Sequence, residues 1–228
     1  ILHESEARSN ILTYSNDFTN GIWTKQSAGA TANSEVSPSG LTDALLITAQ
    51  ASTLQHRIYQ NRYNVGTHNT SYTKSIYAKA GTANYVSVGG GTVTTGYAVF
   101  DLSRGEIISQ ANIVQANIED VGGGWYRCSI HGTVTSTFHV VNMGTTAAQA
   151  VPQVNWLGAG QTVYLYGAQW EAGATPSSYI PTLEASITRA AETLTVPAAN
   201  LTYPTPVETT GTELVTNVGN PFTDTTGW

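Results

Sequence analysis

Apolar positions along this chain recur mainly at every second residue, in short runs. Between residues 71 and 80, Tyr72, Lys74, Ile76 and Ala78 alternate against Thr73, Ser75, Tyr77 and Lys79. A period of two marks an extended strand whose side chains point alternately to opposite faces. In 125–134 the same alternation sets Tyr126, Cys128 and Ile130 on one face. Further strands are predicted at 11–14, 41–49, 54–59, 85–88, 96–101, 106–108, 111–119, 138–143 and 161–170.

Turn residues separate these pieces. Asn16-Asp17, Asn20-Gly21, Ser37-Pro38-Ser39-Gly40 and Gly122-Gly123-Gly124 break the pattern, and Leu102-Ser103-Arg104-Gly105 reads as a tight hairpin turn. Strands spaced near every ten residues predict an antiparallel β-sandwich or jelly roll. No stretch has the period of an amphipathic helix. Residues 182–191 have length for a turn or two of helix, against which their Ser and Thr content weighs.

The order of segments predicts four regions. Residues 1–9 are a polar tail or the end of a preceding element, and 10–194 form the β-sandwich. Residues 195–211, with Pro197, Pro204 and Pro206, have the composition of a stiff linker. Residues 212–228 echo the start of the domain: Asn-X-Phe-Thr occurs at 16–19 and again at 220–223, each followed by a Gly and a Trp. The echo reads either as the truncated start of a second module or as a chance match. The chain begins with Ile1 rather than Met, so it reads as a fragment or processed product.

Composition narrows the functions. Only 11 % of residues are charged, and nine Lys and Arg face fifteen Asp and Glu for a net charge of −6. With no basic cluster, nucleic acid is an unsuitable partner. No apolar run approaches the ~20 residues of a membrane-crossing helix. Cys128 is the single cysteine, so no intrachain disulfide forms, and its strand position reads as a small buried hydrophobe. Hydrolase and phosphate-loop motifs are missing. His131 and His139 fall in neighbouring strands, read as polar surface or cross-strand residues before a metal pair. Asp101 and Glu119-Asp120 sit in turn-like sequence, where a carboxylate bonds its own backbone. The chain therefore reads as non-enzymatic, with no catalytic residues.

Three segments carry a resemblance. Gly167-Ala168-Gln169-X-Glu171, then Ser178-Tyr179-Ile180-Pro181-Thr182 and Thr188-Arg189-Ala190-Ala191, resemble the closing stretch of jelly-roll, carbohydrate-binding-module-like domains of bacteriophage structural proteins. Asn10 to Phe18 with Trp23 resembles their opening strand. Residues 98–105, 118–122 and 124–128 resemble their central hairpins. The resemblance spans roughly 10–194. It implies an all-β jelly-roll (concanavalin- or CBM-like) sandwich in a virion: a phage tail, tail-fibre or capsid-decorating module. Such a module is assembled in the host cytoplasm, its partners being other virion proteins, copies of itself and a cell-surface glycan. The alternative is a carbohydrate-binding module attached to a secreted polysaccharide-degrading enzyme.

Sugar rings stack on flat aromatic faces while nearby amides bind hydroxyls. Trp23 and Trp125 occupy aromatic positions of the family pattern, which makes them structural. Trp156, beside Asn155 and before a Gly-rich turn, is the leading platform, with Tyr97 and Trp170 as further candidates; the competing reading is core packing. Jelly rolls of this resemblance often hold a structural calcium ion. Here the matching oxygens belong to Asp17 and Glu171, with Asn16 and Gln169, although two acids are few for a site of 6–8 oxygens. The alternative is a hydrogen-bonded Glu171 that ties the two ends of the domain together.

Overall fold

The computed structural model describes residues 6–62, 71–133 and 137–192. Strand follows strand: β1 (Arg8–Asn10), β2 (Trp23–Gln26), β3 (Ala28–Glu35), β4 (Ala44–Ala49), β5 (Thr53–Leu54), β6 (Arg57–Asn61), β7 (Ser71–Ala80) and β8 (Tyr85–Gly89). Then come β9 (Tyr97–Asp101), β10 (Glu106–Ala111), β11 (Gln115–Gly122), β12 (Trp125–Thr133), β13 (Phe138–Gly144), β14 (Trp156–Leu157), β15 (Thr162–Ala172) and β16 (Ile187–Arg189). Helix among the described residues is limited to one α turn, α1 (Ala147–Ala150), and a 3-10 turn at Val93–Thr95. None of these helices is long and apolar enough to cross a membrane.

Twelve strands form two antiparallel sheets of six, in the orders β10-β9-β8-β13-β6-β2 and β11-β12-β7-β15-β4-β3. The chain passes repeatedly from one sheet to the other, and together they make a jelly-roll β-sandwich. Register explains the core. In the first sheet Ile58, Val141, Val88 and Ala98 stand side by side on one face, with Phe100, Val86 and Met143 in the next row. In the second, Leu45, Leu165, Ala78 and Tyr126 form a row, and Ile76 pairs with Cys128. These faces meet in one buried cluster. Cys128 is enclosed there, and burial pushes its thiol pKa up, so it is an inert packing group.

The long central strands lie where alternation places them. Several segments differ. Residues 11–14 are not a strand; β1 lies just before them and pairs with β16. Residues 11–14 instead bond to scattered partners, Ile11 N–H to Trp170 O at 2.9 Å and Thr13 N–H to Gln60 Oε1 at 2.9 Å. Residues 182–191 contain β16 and no helical turn, as their Ser and Thr content suggests. The predicted strand at 111–119 is interrupted at Asn112, whose φ of 55° turns the chain from β10 to β11. An edge strand, β3, escapes the pattern because Ala-Gly-Ala-Thr-Ala-Asn-Ser-Glu lacks large apolar residues.

Glu6–Ala191 forms one compact unit, and β1 takes in Arg8 and Ser9 from the tail assigned to 1–9. The linker at 195–211 and the echo at 212–228 lie outside the described residues.

Candidate functional site

The four tryptophans among the described residues are packing residues. Trp156 is 6 % exposed and sits against His56, ring centroids 4.4 Å apart, while His56 Nε2 lies 3.0 Å from Trp156 O. It is therefore not the exposed platform the sequence suggests. Trp170 is fully enclosed, with one face under the Lys74 ammonium at 4.3 Å and Tyr72 at its edge. A ring shut in on its faces cannot stack on a sugar. Trp23 and Trp125 are buried too, donating from Nε1 to Tyr14 O and Val36 O, both at 2.9 Å. The turn-flanked position of Trp156 misled because a two-residue ribbon, β14 with β5, places it.

Glu171 is also enclosed. Its carboxylate accepts from Ser177 N–H at 2.9 Å, Ser177 Oγ at 2.7 Å and Gln169 Nε2 at 2.5 Å. It thus ties β15 to the segment that follows. Asn16 bridges elsewhere, its Nδ2 donating to Asp43 O and its Oδ1 accepting from Gly167 N–H. Asp17 turns its Oδ1 to Thr19 and Asn20 of its own turn. So Gln169 and Glu171 meet, while Asp17 is committed locally. Among the described residues no three His, Cys, Asp or Glu side chains gather as metal ligands. His131 and His139 belong to different sheets and do not face each other. Asp101 accepts from Ser103 N–H and Oγ, as expected of a turn acid.

A different site lies on the outer face of the first sheet. Along β6, Ile58 and Gln60 point inward, which turns Arg57, Tyr59 and Asn61 outward. Opposite them β13 presents Phe138 and Val140. The rings of Tyr59 and Phe138 meet edge to face, 5.6 Å apart at 76°. The Arg57 guanidinium lies 5.3 Å from the Tyr59 ring centre, within cation–π range. Two neutral acceptors hold it: Nε donates to Gln26 Oε1 at 2.8 Å and Nη1 to Gly91 O at 3.1 Å. Partial burial lowers its pKa, with Tyr59 acting the other way, and it stays cationic.

Beyond Gly89 the chain rises off β8 and folds back over this face. Gly90, Gly91 and Thr92 line a half-open cavity of about 140 Å³ together with Arg57, Tyr59, Phe138 and Val140. Two glycines permit that path. A Cβ on Gly89 would stand 2.6 Å from Gly96 O, and Gly91 has a φ of +98° with its Cβ direction aimed at Val140. The 3-10 turn beyond is braced by Asn112 Nδ2 on Val93 O, and Gln153 receives the Val93 N–H. Of the sequence candidates, half-buried Tyr97 lies on this same face, in a row running Tyr97, Gly89, Val140, Tyr59. Three strand spacings separate the two tyrosines, roughly 14 Å. Asn155 is exposed, two residues beyond the bracing Gln153. The cavity is below the roughly 300–1,000 Å³ of drug-sized pockets, so it suits one small ring rather than an enclosed large ligand. Sequence alone passes over Tyr59 and Phe138 because β6 and β13 are far apart in the chain. Alternation along β6 does show that Arg57 and Tyr59 share a face.

No family model matches the chain, and no curated protein matches it. Several solved structures are similar, among them the following two. One is the enzymatically active domain of bacteriophage CBA120 tailspike protein 4, at 11 % identity and a TM-score of 0.38, covering 71 % of this chain and 21 % of that one. The other is the CBM22-1–GH10 modules of Clostridium thermocellum xylanase 10B complexed with xylohexaose, at 11 % identity and 0.38, covering 79 % of this chain and 30 % of that one. The chain spans less than a third of either.

Proposed function

We propose that this domain is a non-catalytic glycan-binding module of a phage virion, in a tail, tail fibre or capsid decoration. The observation that carries the binding reading is the cavity of β6, β13 and the Gly90–Thr92 loop. It combines two aromatic rings, an oriented cation and backbone groups around a space of single-ring size. Stacking on Tyr59 and Phe138 supplies the apolar contact, and Thr92 and the Arg57 guanidinium supply polar ones. The resemblance of the 167–191 motifs to phage structural domains supports the virion setting. Many such modules on one particle bind by avidity, so each works with a weak, shallow site.

The test is a glycan array probed with wild type and with Tyr59→Ala. The expected result is a set of bound glycans that Tyr59→Ala loses by tenfold or more while its melting temperature stays close to wild type. Retention of every bound glycan by a folded Tyr59→Ala would remove this cavity from the function. A glycoside-hydrolase domain in the parent polypeptide would favour the enzyme-attached alternative.

A further inference from the structure

Resting on the glycan-binding reading of the same cavity, we infer that the ligand is an acidic saccharide whose carboxylate pairs with Arg57. Arg57 has no acidic partner: the ion pairs among the described residues are Arg8 with Glu6 and Lys79 with Glu35. Its hydrogen bonds go to an amide oxygen and a carbonyl, both neutral. A half-buried guanidinium without a counter-charge is costly, and a carboxylate brought by a ligand would offset that cost.

Geometry defines what would complete it. Nε and one Nη1 proton are taken by Gln26 and Gly91. That fixes the guanidinium plane and leaves Nη2, with the second Nη1 proton, as an outward edge. Two parallel N–H donors on that edge match the two oxygens of one carboxylate. Tyr59 lies under the same guanidinium, with Phe138 beside it, so a ring carrying the carboxylate is offered an apolar wall next to the charge. Uronic and sialic acids have both parts, a flat-faced ring and a carboxylate on it. Neutral sugars would leave the cation as they find it.

The experiment uses the intact chain on an array of neutral, carboxylated and sulfated glycans, followed by titration with the best-bound carboxylated glycan and its methyl ester. We expect carboxylated glycans to dominate, at least tenfold weaker binding of the ester, and weakening in 1 M salt. Arg57→Met should bind acid and ester alike. Arg57→Lys, which keeps the charge but not the fork, should lose most of the discrimination while remaining folded. If neutral or sulfated glycans dominate and are lost in Tyr59→Ala, the cavity stands and its carboxylate specificity is wrong. If nothing on the array binds above the level of Tyr59→Ala, the glycan-binding reading falls with it.

Discussion

Lys74 belongs by alternation to the same face as Tyr72, Ile76 and Ala78, and the structure puts it inside the sandwich. It is 8 % exposed, donates from Nζ to Phe138 O at 2.5 Å and rests on the Trp170 ring. No carboxylate offsets the charge, and burial lowers its pKa from 10.5 to about 7. Below pH 7 the folded and unfolded chains both hold the proton, and folding carries the whole cost of enclosing an ammonium. From about 7 to 10.5 the unfolded chain binds more protons, so stability rises with pH across that window. His139, also enclosed, is lowered from 6.5 to about 3 by burial and by Lys74, so its contribution is lost as pH falls from 6.5 toward 3. Lys74→Met should raise stability at pH 6, by something on the order of 1–4 kcal/mol, and by clearly less at pH 9. Urea midpoints at the two pH values check this; an equal effect at both would mean that the amine does not titrate in that range. The alternation that places Lys74 is legible in the sequence. Its lack of a counter-charge is not, because that depends on which strands pack opposite.

Among elements, β15 holds the second sheet together, pairing with β7 along one edge and β4 along the other. Its register shifts between Tyr166 and Gln169, where Gly167 adopts a φ of +59°. The bulge admits the 15–16 turn: Gly167 N–H donates to Asn16 Oδ1 and Ala168 N–H to Ser15 O. The Gly-Ala-Gln motif is thus a bulge with a docking role, which explains why a glycine stands within an otherwise strand-forming run. Leu165, just before it, contacts the central rows of the core. Leu165→Ala should cost about 2–5 kcal/mol in chemical denaturation, and a loss under half a kcal/mol would place it on the wrong face. This strand, β7 and β12 are readable because large apolar residues mark one face. β3 is not, since its pairing with β4 needs only backbone.

For the whole unit, the strand spacing and turn chemistry forecast the sandwich, while the site needed the pairing of β6 with β13. Register between distant strands is set by packing, and nothing in Arg57-Ile58-Tyr59 names Phe138 as its neighbour. Circular dichroism should show a β-dominated spectrum, and helix above about a fifth of residues would contradict the fold. One pairing has a mechanical consequence. β1 and β16 run antiparallel, Arg8 opposite Arg189, with Ser9 Oγ and Thr188 Oγ1 2.7 Å apart. The polypeptide therefore enters and leaves Glu6–Ala191 at one point. Tension applied to its two ends opens that three-rung ladder one pair at a time, as a zipper, rather than shearing it all at once. Arg8 Nη1 on Ala172 O and the Asn10 amide on Ala168 O and Ile180 O tie β1 to the sandwich as well, so the clasp and the sheet share the load and the unit hangs as a bead from a short clip.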